Sequence, residues 1–345
     1  MTRGILLVNL GTPASTETRD VRKYLAEFLM DPHVVDLPWP LRALLVYGAI
    51  LPRRPGRSAA AYRSIWDAAG PGTGSPLKHF SQGLRHALEQ RTDMPCELAM
   101  RYGEPALDSA LQALAAKGVT RTLLVPLYPQ HAASTRTTTI EATRRQLPSG
   151  MTLEILPPFF NHPDYIQAQA DLIRRHLPAE WDHLLLSYHG LPERHLTRAD
   201  PTGAHCLKTA DCCERPSVAH ATCYRHQVRR TSDALISAIG LDASRVTTSF
   251  QSRLGRAAWL TPYTDATLQA LAGQGVRKLV VACPAFVADN LETLEEIGIA
   301  GREQFLAAGG ESFTLVPCLN DDEAWISALS AWCLDRPEAV ALRQD

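Results

Sequence analysis

The sequence lacks an excess of charge of either sign. Its 345 residues contain 35 Lys and Arg against 36 Asp and Glu, a formal net charge of −1 at pH 7. Proteins that bind nucleic acid usually carry a basic patch or stripe that makes the domain positively charged. The balance gives no reason to expect a nucleic-acid partner, and it favours a small-molecule partner.

The sequence also lacks a long uninterrupted apolar run. The most lipid-like segment, residues 34–51, contains Asp36, Pro38, Pro40 and Arg42 and therefore fails as a membrane-spanning helix. No secretory signal is visible, since residues 1–3 lead at once into a short apolar run, 4–9, that is typical of a first strand. We expect a cytoplasmic protein.

Cysteine is too sparse for a disulfide scaffold, yet four of the eight cysteines fall between Cys206 and Cys223. Four thiols in a short polar segment of a cytoplasmic protein favour a metal site. Zinc fits on chemistry alone, and the neighbouring histidines compete as ligands: His205, His220 and His226. The other four are expected to be buried small apolar residues: Cys96, Cys283, Cys318 and Cys333.

The sequence does contain a regular alternation of short apolar runs with helical patterns. Its apolar fraction of 45% supports a large core, and its length suggests two domains. Strand–helix alternation predicts parallel sheets covered by helices. The predicted strands are residues 4–9, 97–102, 121–128, 153–159, 183–189, 246–250, 278–283 and 313–316.

A faint internal repeat relates the two halves. Residues 111–115 and 268–272 both read Leu-Gln-Ala-Leu-Ala, and each leads through Gly-Val into an apolar strand that ends in proline. Leu- and Ala-rich helices can also converge by chance. We predict the α/β class with two similar Rossmann-like domains, each a parallel four-stranded sheet flanked by helices, and a cleft between them. The domains are placed at residues 1–160 and 161–320, with a C-terminal helix and tail at 321–345.

Two stretches concentrate polar chemistry. The strand 183–189 ends in His189, and in open α/β folds ligands bind at the carboxyl ends of strands. A histidine that only packs or hydrogen-bonds is the alternative. Residues 286–296 follow another buried strand and open an acidic helix, in which Asp289 and Glu292 fit a capping box. The capping box explains Glu292 but leaves Glu296 without a role.

Between these elements and the first strand, residues 33–55 are rich in proline, leucine and tryptophan, with arginines interspersed. The preceding helical pattern, from Val21 to Leu29, stops at Asp31-Pro32. We expect residues 33–55 to form an irregular apolar flap.

Seven motifs occur in order over nearly the whole chain: residues 9–13, 62–63 with 74–76, 100–103, 128–130, 187–192, 250–253 with 259–260, and 289–296. Together they resemble the ferrochelatase family. The resemblance implies two Rossmann-like domains with a porphyrin cleft between them. It also implies insertion of ferrous iron into protoporphyrin IX to make protoheme, a lyase reaction of heme biosynthesis.

By this resemblance His189 is a metal ligand or proton acceptor and Glu292 opposes it across the cleft, with ferrous iron as substrate. Neutral imidazole, whose pKa is about 6.5, ligates borderline metals or accepts a proton near neutral pH. Asp289 and Glu296 extend an acidic path for iron delivery or proton exit. Asn290 stands where relatives often carry histidine or cysteine, so no role is assigned to it.

The resemblance also implies which residues meet the porphyrin. Leu10, Tyr128 and Trp259 match positions that line the pocket, and Arg101 with Tyr102 match a pair deep in it; core packing is the alternative for each. The flap, residues 33–55, corresponds to an apolar lip that suits a hydrophobic substrate and a peripheral contact with a membrane surface.

The cysteine-rich segment, about residues 204–226, is an insertion-like departure from the family. The resemblance implies a 2Fe-2S cluster held by Cys206, Cys212, Cys213 and Cys223. Their spacing matches neither ferredoxin pattern, so the spacing alone does not establish a cluster.

Three other functions remain open at this stage: a coproporphyrin chelatase, a cobalt chelatase, and a carrier that holds metal or tetrapyrrole without chemistry. A carrier explains the architecture but not the pairing of His189 with Glu292. Protoporphyrin is preferred because residues 9–13 and the acidic helix resemble the protoporphyrin branch.

Overall fold

The computed structural model describes residues 2–253, 255 and 257–335. Its strands are β1 (Thr2–Thr12), β2 (Cys96–Gly103), β3 (Val119–Pro126), β4 (Thr152–Ile155), β5 (His183–His189), β6 (Val246–Gln251), β7 (Lys278–Ala282) and β8 (Ser312–Leu315). They form two parallel four-stranded sheets, in the orders β2-β1-β3-β4 and β6-β5-β7-β8. The order is the same in both halves, so the predicted α/β class with two similar sheets is confirmed.

The central strands are continuous apolar runs because helices cover both faces of each sheet. In β1, residues 5–8 have no exposed surface, and in β5 the same holds for residues 184–186. Burial of both faces explains why these strands do not alternate between apolar and polar residues. It also leaves the carboxyl ends of the strands as the places where polar side chains can gather.

Helices connect the strands. In the first half they are α1 (Thr18–Leu29), α2 (Trp39–Ala43), α3 (Arg54–Ile65), α4 (Pro76–Thr92), α5 (Leu107–Ala116) and α6 (Thr138–Gln146). In the second half they are α7 (Pro163–His176), α8 (Glu193–Ala199), α9 (Tyr224–Ile239), α10 (Thr264–Gly273), α11 (Arg302–Ala307) and α12 (Glu323–Leu334). The repeated Leu-Gln-Ala-Leu-Ala segments lie in α5 and α10, which precede the corresponding strands β3 and β7.

The last helix fastens the two halves together. α12 packs against both α4 and α7, and its Trp325 and Trp332 are fully buried in a core shared by the two sheets. Arg3 of β1 donates a 2.7 Å hydrogen bond to the carbonyl of Cys333 at the end of α12. The predicted C-terminal helix is therefore present as α12, while residues 336–345 of the predicted tail lie outside the described residues.

The expectation of an irregular flap over residues 33–55 is wrong. α2 is followed directly by a π-helix, Leu44–Ile50, and α3 begins at Arg54. Pro38, Pro40 and Pro55 stand at helix starts, where the missing N–H costs nothing, and Pro52 lies in the turn before α3, so the prolines do not break the helices. The apolar character is confirmed, because large side chains project outward from this lip: Trp39, Leu41, Leu44, Leu45 and Tyr47.

The connection between the sheets runs through α7, since β4 ends at Ile155 and β5 begins at His183. The domain boundary at residues 160/161 stays a prediction. Among the described residues, no helix combines the length and the apolar character needed to cross a membrane.

Candidate active site

His189 is the last residue of β5 and pairs in register with Gln251 at the end of β6. Its Nδ1 lies 2.6 Å from the carbonyl oxygen of Gly190. A carbonyl can only accept, so Nδ1 is the donor, and in the neutral imidazole Nε2 is then the nitrogen with the lone pair. The imidazole is partly buried, at a ring-centroid distance of 6.4 Å from Phe286. The geometry leaves one basic nitrogen for a metal ion or a proton.

The turn after His189 requires a glycine. A Cβ on Gly190 would lie 2.8 Å from the carbonyl oxygen of Gln251 and 3.3 Å from the ring of Trp259. The backbone N–H of Gly190 donates to that same Gln251 carbonyl at 2.8 Å. Trp259 also forms an antiparallel bridge with Pro192. These contacts place Trp259 against the turn that follows His189, and its role in lining a porphyrin pocket stays a prediction.

Glu292 is the first residue of a π-helix, Glu292–Gly301. Burial raises the pKa of its carboxyl, the nearby charge of His189 opposes this rise, and the acids Glu296 and Glu295 add to it. The effect of the His189 charge on Glu292 places the two residues within electrostatic reach of each other. Their carboxyl and imidazole groups therefore form a candidate acid–base pair.

Glu292 also reaches the first half of the molecule. Burial is the main cause that raises the pKa of Tyr62, and the negative charge of Glu292 contributes next. Tyr62 lies on α3, which packs against the π-helix, and its ring meets Tyr24 edge-on at 6.3 Å. Glu292 thus lies on the helix through which the second half contacts α3 of the first half, and its place opposite His189 in a cleft stays a prediction.

The start of the π-helix is capped differently from the prediction. Asn290 Oδ1 accepts from the N–H of Thr293, and Thr293 Oγ1 accepts from the N–H of Asn290, both at 3.0 Å. This reciprocal pair lies one residue after the predicted capping box of Asp289 and Glu292, which is wrong. In a capping box, the glutamate side chain would hydrogen-bond to the backbone N–H of the cap residue. Because Thr293 takes that position here, the Glu292 carboxyl remains available to the cleft.

Asp289 is instead built into the protein interior. Its carboxylate accepts from Asn320 Nδ2 at 2.7 Å, from Thr293 Oγ1 at 3.1 Å and from the N–H of Cys318 at 3.2 Å. Only 4% of Asp289 is exposed. These bonds attach the segment before the π-helix to the segment after β8, and they hold the helix start in place.

Glu296 lies about one turn along from Glu292 and is held by the end of β6. Its Oε1 accepts from the N–H of Ser252 at 2.7 Å and its Oε2 from the Ser252 hydroxyl at 2.5 Å. Gln251 Nε2 donates to the carbonyl of Glu292 at 2.7 Å, while its Oε1 accepts from Ser187 of β5. Gln251 and Ser252 thus fix the acidic helix relative to the strand that carries His189.

Arg101 and Tyr102 meet at a residue that sequence reasoning missed. Asp31 accepts from Arg101 at 2.5 Å, from the Thr138 hydroxyl at 2.6 Å and from the Tyr102 hydroxyl at 3.0 Å. Burial alone would raise the pKa of Asp31, but these donors, the N–H of His33 and the Arg101 charge lower it overall. The only signal in the sequence was an Asp-Pro pair, which indicated a helix stop.

A cavity of about 420 Å³ lies beside this network. The residues that line it include Asp31, Arg101, Tyr102, Thr138, Arg145 and Tyr47 of the lip. Leu10 lies near the end of β1 and is partly buried, and Tyr128 follows the end of β3 in the same sheet and is buried. His189 and Glu292 lie outside this cavity, so the first half supplies a polar chamber and the second half supplies the acid–base pair.

The four cysteines lie together in residues 200–223, which we call the thiol loop. Cys206 and Cys213 both lie near the Cys223 thiol, and Cys212 is near enough to Cys206 for its charge to act on it. All four are at most 4% exposed and unpaired by disulfides. Burial raises the pKa of the Cys206 thiol, and the charges of Asp200 and the other thiols add to this rise. The neighbouring Cys223 thiol acts in the opposite direction.

The histidines of this region hold the loop backbone. His205 and His220 both donate to the carbonyl of Cys212, at 2.6 and 3.1 Å, and His226 donates to that of Cys213 at 2.7 Å. In the part of the chain that the structure describes, no group of three or more His, Cys, Asp or Glu is spaced to hold a metal ion. Cys96, Cys283, Cys318 and Cys333 are buried elsewhere, as predicted.

Comparisons with known proteins agree with this architecture. A family model described as Ferrochelatase matches residues 2–336. A ferrochelatase of Stutzerimonas stutzeri is 54% identical over 98% of this chain and 99% of its own length. One of Azotobacter vinelandii is 56% identical over 95% and 97%.

A solved structure, SirB from Bacillus subtilis with Fe3+, superposes with a TM-score of 0.52 over 99% of this chain and 96% of that one. Its sequence is 13% identical, so it supports the fold alone. The match to the family extends over essentially the whole described chain, and it includes both sheets and every segment of the cleft. The chain therefore belongs to the ferrochelatase family.

Proposed function

We propose that this protein inserts ferrous iron into protoporphyrin IX, with His189 and Glu292 as the groups that handle metal and protons. As a ferrochelatase it is a metal chelatase, a lyase of heme biosynthesis. The observation that carries the proposal is the free Nε2 of His189 within electrostatic reach of the Glu292 carboxyl.

The reaction replaces two pyrrole N–H protons by one Fe²⁺ ion and releases two protons. Neutral imidazole suits the first proton transfer because Nε2 is unprotonated while Nδ1 is held by Gly190. The imidazolium that forms is stabilised by the Glu292 carboxylate. Burial raises the pKa of Glu292, despite the opposing His189 charge, so this carboxyl takes up a proton more readily than an exposed glutamate and can pass it on.

We propose that Glu296 continues the path from Glu292. The two carboxyls are four residues apart on the π-helix, and Ser252 holds Glu296 with two hydrogen bonds. Asp289 was expected on the same path. Its three hydrogen bonds inside the protein favour a structural role instead, in which Asp289 fixes the helix start that presents Glu292.

We propose that the porphyrin lies between the two sheets. Leu10, Tyr128 and Trp259 offer it apolar surface, while Arg101 and Tyr102, fixed by Asp31, line the polar cavity. An Arg held in this way suits a carboxylate of the macrocycle. Bending a flat macrocycle to expose its nitrogen lone pairs would draw on about 1 to 5 kcal/mol of this binding energy.

We propose that the thiol loop holds a 2Fe-2S cluster through Cys206, Cys212, Cys213 and Cys223. Four buried thiols in one loop, with Cys206 near the other three, are the type of donor set that such a cluster uses. Their thiolates repel one another, and iron would remove this repulsion. When bound, the cluster supplies one-electron redox chemistry, which metal insertion does not require. Zinc on the same thiols is the other outcome of a metal analysis.

We propose that the lip touches a membrane surface. Trp39, Leu41 and Leu44 are 66%, 56% and 70% exposed, which is unusual for large apolar side chains so close together. An apolar porphyrin delivered from a lipid surface would meet the cleft at this point.

The experiment that tests the proposed function is anaerobic turnover of ferrous iron and protoporphyrin IX, followed by loss of free-porphyrin fluorescence. Multiple turnovers support the assignment. Parallel reactions with coproporphyrin and with Co²⁺ rank the substrates. Porphyrin binding without turnover of any pair would contradict the assignment and indicate a carrier.

A further inference from the structure

The hydroxyl of Tyr224 donates a 2.8 Å hydrogen bond to the backbone carbonyl of His189. Tyr224 is the first residue of α9 and directly follows Cys223, the last cysteine of the thiol loop. The ring is buried, and burial raises the pKa of its hydroxyl, which therefore stays protonated as a donor. This bond connects the end of the thiol loop to the residue that carries the basic imidazole.

The thiol loop is anchored at both ends, and Tyr224 directly follows its last cysteine. The conformation of the loop can therefore affect the position of Tyr224. At its start, the N–H groups of His205 and Cys206 both donate to Asp200 at 2.8 Å. At its end, the Thr222 hydroxyl donates to the carbonyl of Ala199 at 2.7 Å. Cys206 lies at the first anchor, Cys212 and Cys213 lie between the two anchors, and Cys223 stands between the second anchor and Tyr224.

The position of the imidazole depends on the same short stretch of backbone. The His189 ring is held by the carbonyl of Gly190, and the His189 carbonyl is held by Tyr224. Displacement of this backbone moves Nε2, the atom that must face the metal. A misplacement of about 1 Å at a reacting group can cost about 100-fold in rate.

We propose that Tyr224 is a positioning residue that couples the thiol loop to His189. With an ordered loop, the hydroxyl fixes the His189 backbone and Nε2 is set for metal insertion. With a disordered loop, the imidazole loses this support and insertion slows. The inference rests on the proposed function of His189, and it gives the thiol loop an effect on the reaction without any redox step.

The first test is Tyr224→Phe, which removes only the hydroxyl. We expect kcat for iron insertion to fall about tenfold, the scale of one lost hydrogen bond, with the KM for porphyrin unchanged. Tyr165→Phe is the matched control, because the buried Tyr165 hydroxyl donates to the carbonyl of Pro284 at 2.7 Å. We expect the control to keep its kcat. Amide hydrogen exchange in the peptide that contains His189 should accelerate in Tyr224→Phe alone.

The second test is a double-mutant cycle with Cys206→Ser, which disturbs the loop. If the loop acts through Tyr224, Cys206→Ser lowers kcat in the wild type but adds nothing to Tyr224→Phe. The coupling would be overturned if the fold-losses in kcat of the two single variants multiply in the double variant. A Cys206→Ser protein with wild-type kcat would also overturn it. So would equal kcat and equal exchange in Tyr224→Phe and the wild type.

The outcomes separate this inference from the proposed function. A wild-type protein that inserts no iron contradicts the proposed function, and in that case the exchange measurement still decides whether Tyr224 holds the His189 backbone. A wild type that turns over while Tyr224→Phe matches it contradicts only the inference.

Discussion

Ser252 donates two hydrogen bonds to Glu296, one from its N–H at 2.7 Å and one from its hydroxyl at 2.5 Å. Ser252 has a φ of 67°, in the left-handed region that costs most residues about 1 kcal/mol. The strained conformation directs its N–H toward the acidic helix. A serine in this conformation, bound to an acid one turn from Glu292, indicates a constraint on where that acid lies.

Removing the Ser252 hydroxyl should therefore affect turnover more than folding. We expect Ser252→Ala to lower kcat roughly three- to tenfold, since one of the two hydrogen bonds from Ser252 to Glu296 is lost. Ser252→Gly is the matched control because it loses the same hydroxyl but relaxes the backbone. Equal kcat values for the two variants, measured by porphyrin fluorescence, would assign the effect to the hydroxyl, and a wild-type rate in both would contradict it.

His189→Ala should abolish iron insertion while the protein stays folded. The residues proposed to line the porphyrin lie on other strands, so porphyrin binding, measured by fluorescence quenching, should be retained. His183→Ala serves as the control because His183 stands at the opposite end of the same strand and bonds to Thr247 at 2.8 Å. Insertion by the His189 variant at a wild-type rate would remove the central assignment.

Glu292→Gln should stabilise the protein as it inactivates it. Burial, opposed by the His189 charge and reinforced by Glu296 and Glu295, raises the pKa of Glu292 above its ordinary value of 4.5. A raised pKa favours the folded state below pH 4.5, and this contribution is lost as pH rises through the folded-state pKa. The variant should therefore show a higher Tm than the wild type near pH 8, with the difference shrinking toward pH 4.5. A lower Tm for the variant at pH 8 would contradict this.

Asp31→Asn should destabilise the first half and weaken porphyrin binding. Asp31 and Arg101 are 4% and 14% exposed, and loss of one partner of a buried ion pair typically costs about 3 to 5 kcal/mol. The pKa of Asp31 is lowered because its donors outweigh burial, so its contribution is present above pH 3.8 and is lost as pH falls through the depressed pKa. Urea unfolding at pH 7 measures the loss. Asp171→Asn, at an exposed ion pair on α7, is the control expected to change little.

Cys212→Ser should remove the visible absorption of an iron–sulfur centre from protein purified without oxygen. Cys333→Ser is the control, because Cys333 is equally buried but lies at the end of α12, outside the thiol loop. An unchanged spectrum in Cys212→Ser would clear that residue as a ligand. Stoichiometric zinc in the wild type would instead support the other metal.

The sequence was a good guide to the strands because their burial on both faces leaves long apolar runs. His189 was identified for the same reason, since it is the first polar side chain after such a run that opens at the sheet edge. The prediction for residues 33–55 was wrong because proline occurs both at helix starts and where helices break, and the sequence alone does not distinguish the two positions. The reciprocal bonds of Asn290 and Thr293 were missed because a capping box shifted by one residue differs only in side-chain geometry.

The role of Asp31 could not be predicted from the sequence for another reason. Its partners Arg101 and Thr138 are 70 and 107 residues away along the chain. A buried carboxylate that binds them has no local pattern, and only the packing of α1 against the ends of β2 and α6 brings them together. The mutual approach of the four thiols likewise depends on the path of the thiol loop, which their spacing does not determine.

The identical strand order of the two sheets divides the proposed roles between the two halves. Under the proposed assignments, the first half holds the macrocycle, through Leu10, Arg101, Tyr102 and Tyr128, while the second half holds the metal and its protons. Preference for a different tetrapyrrole can then be altered in the first half while the proton chemistry of the second half stays unchanged. Trp259 is the exception, since the second half also contributes one wall of the porphyrin site.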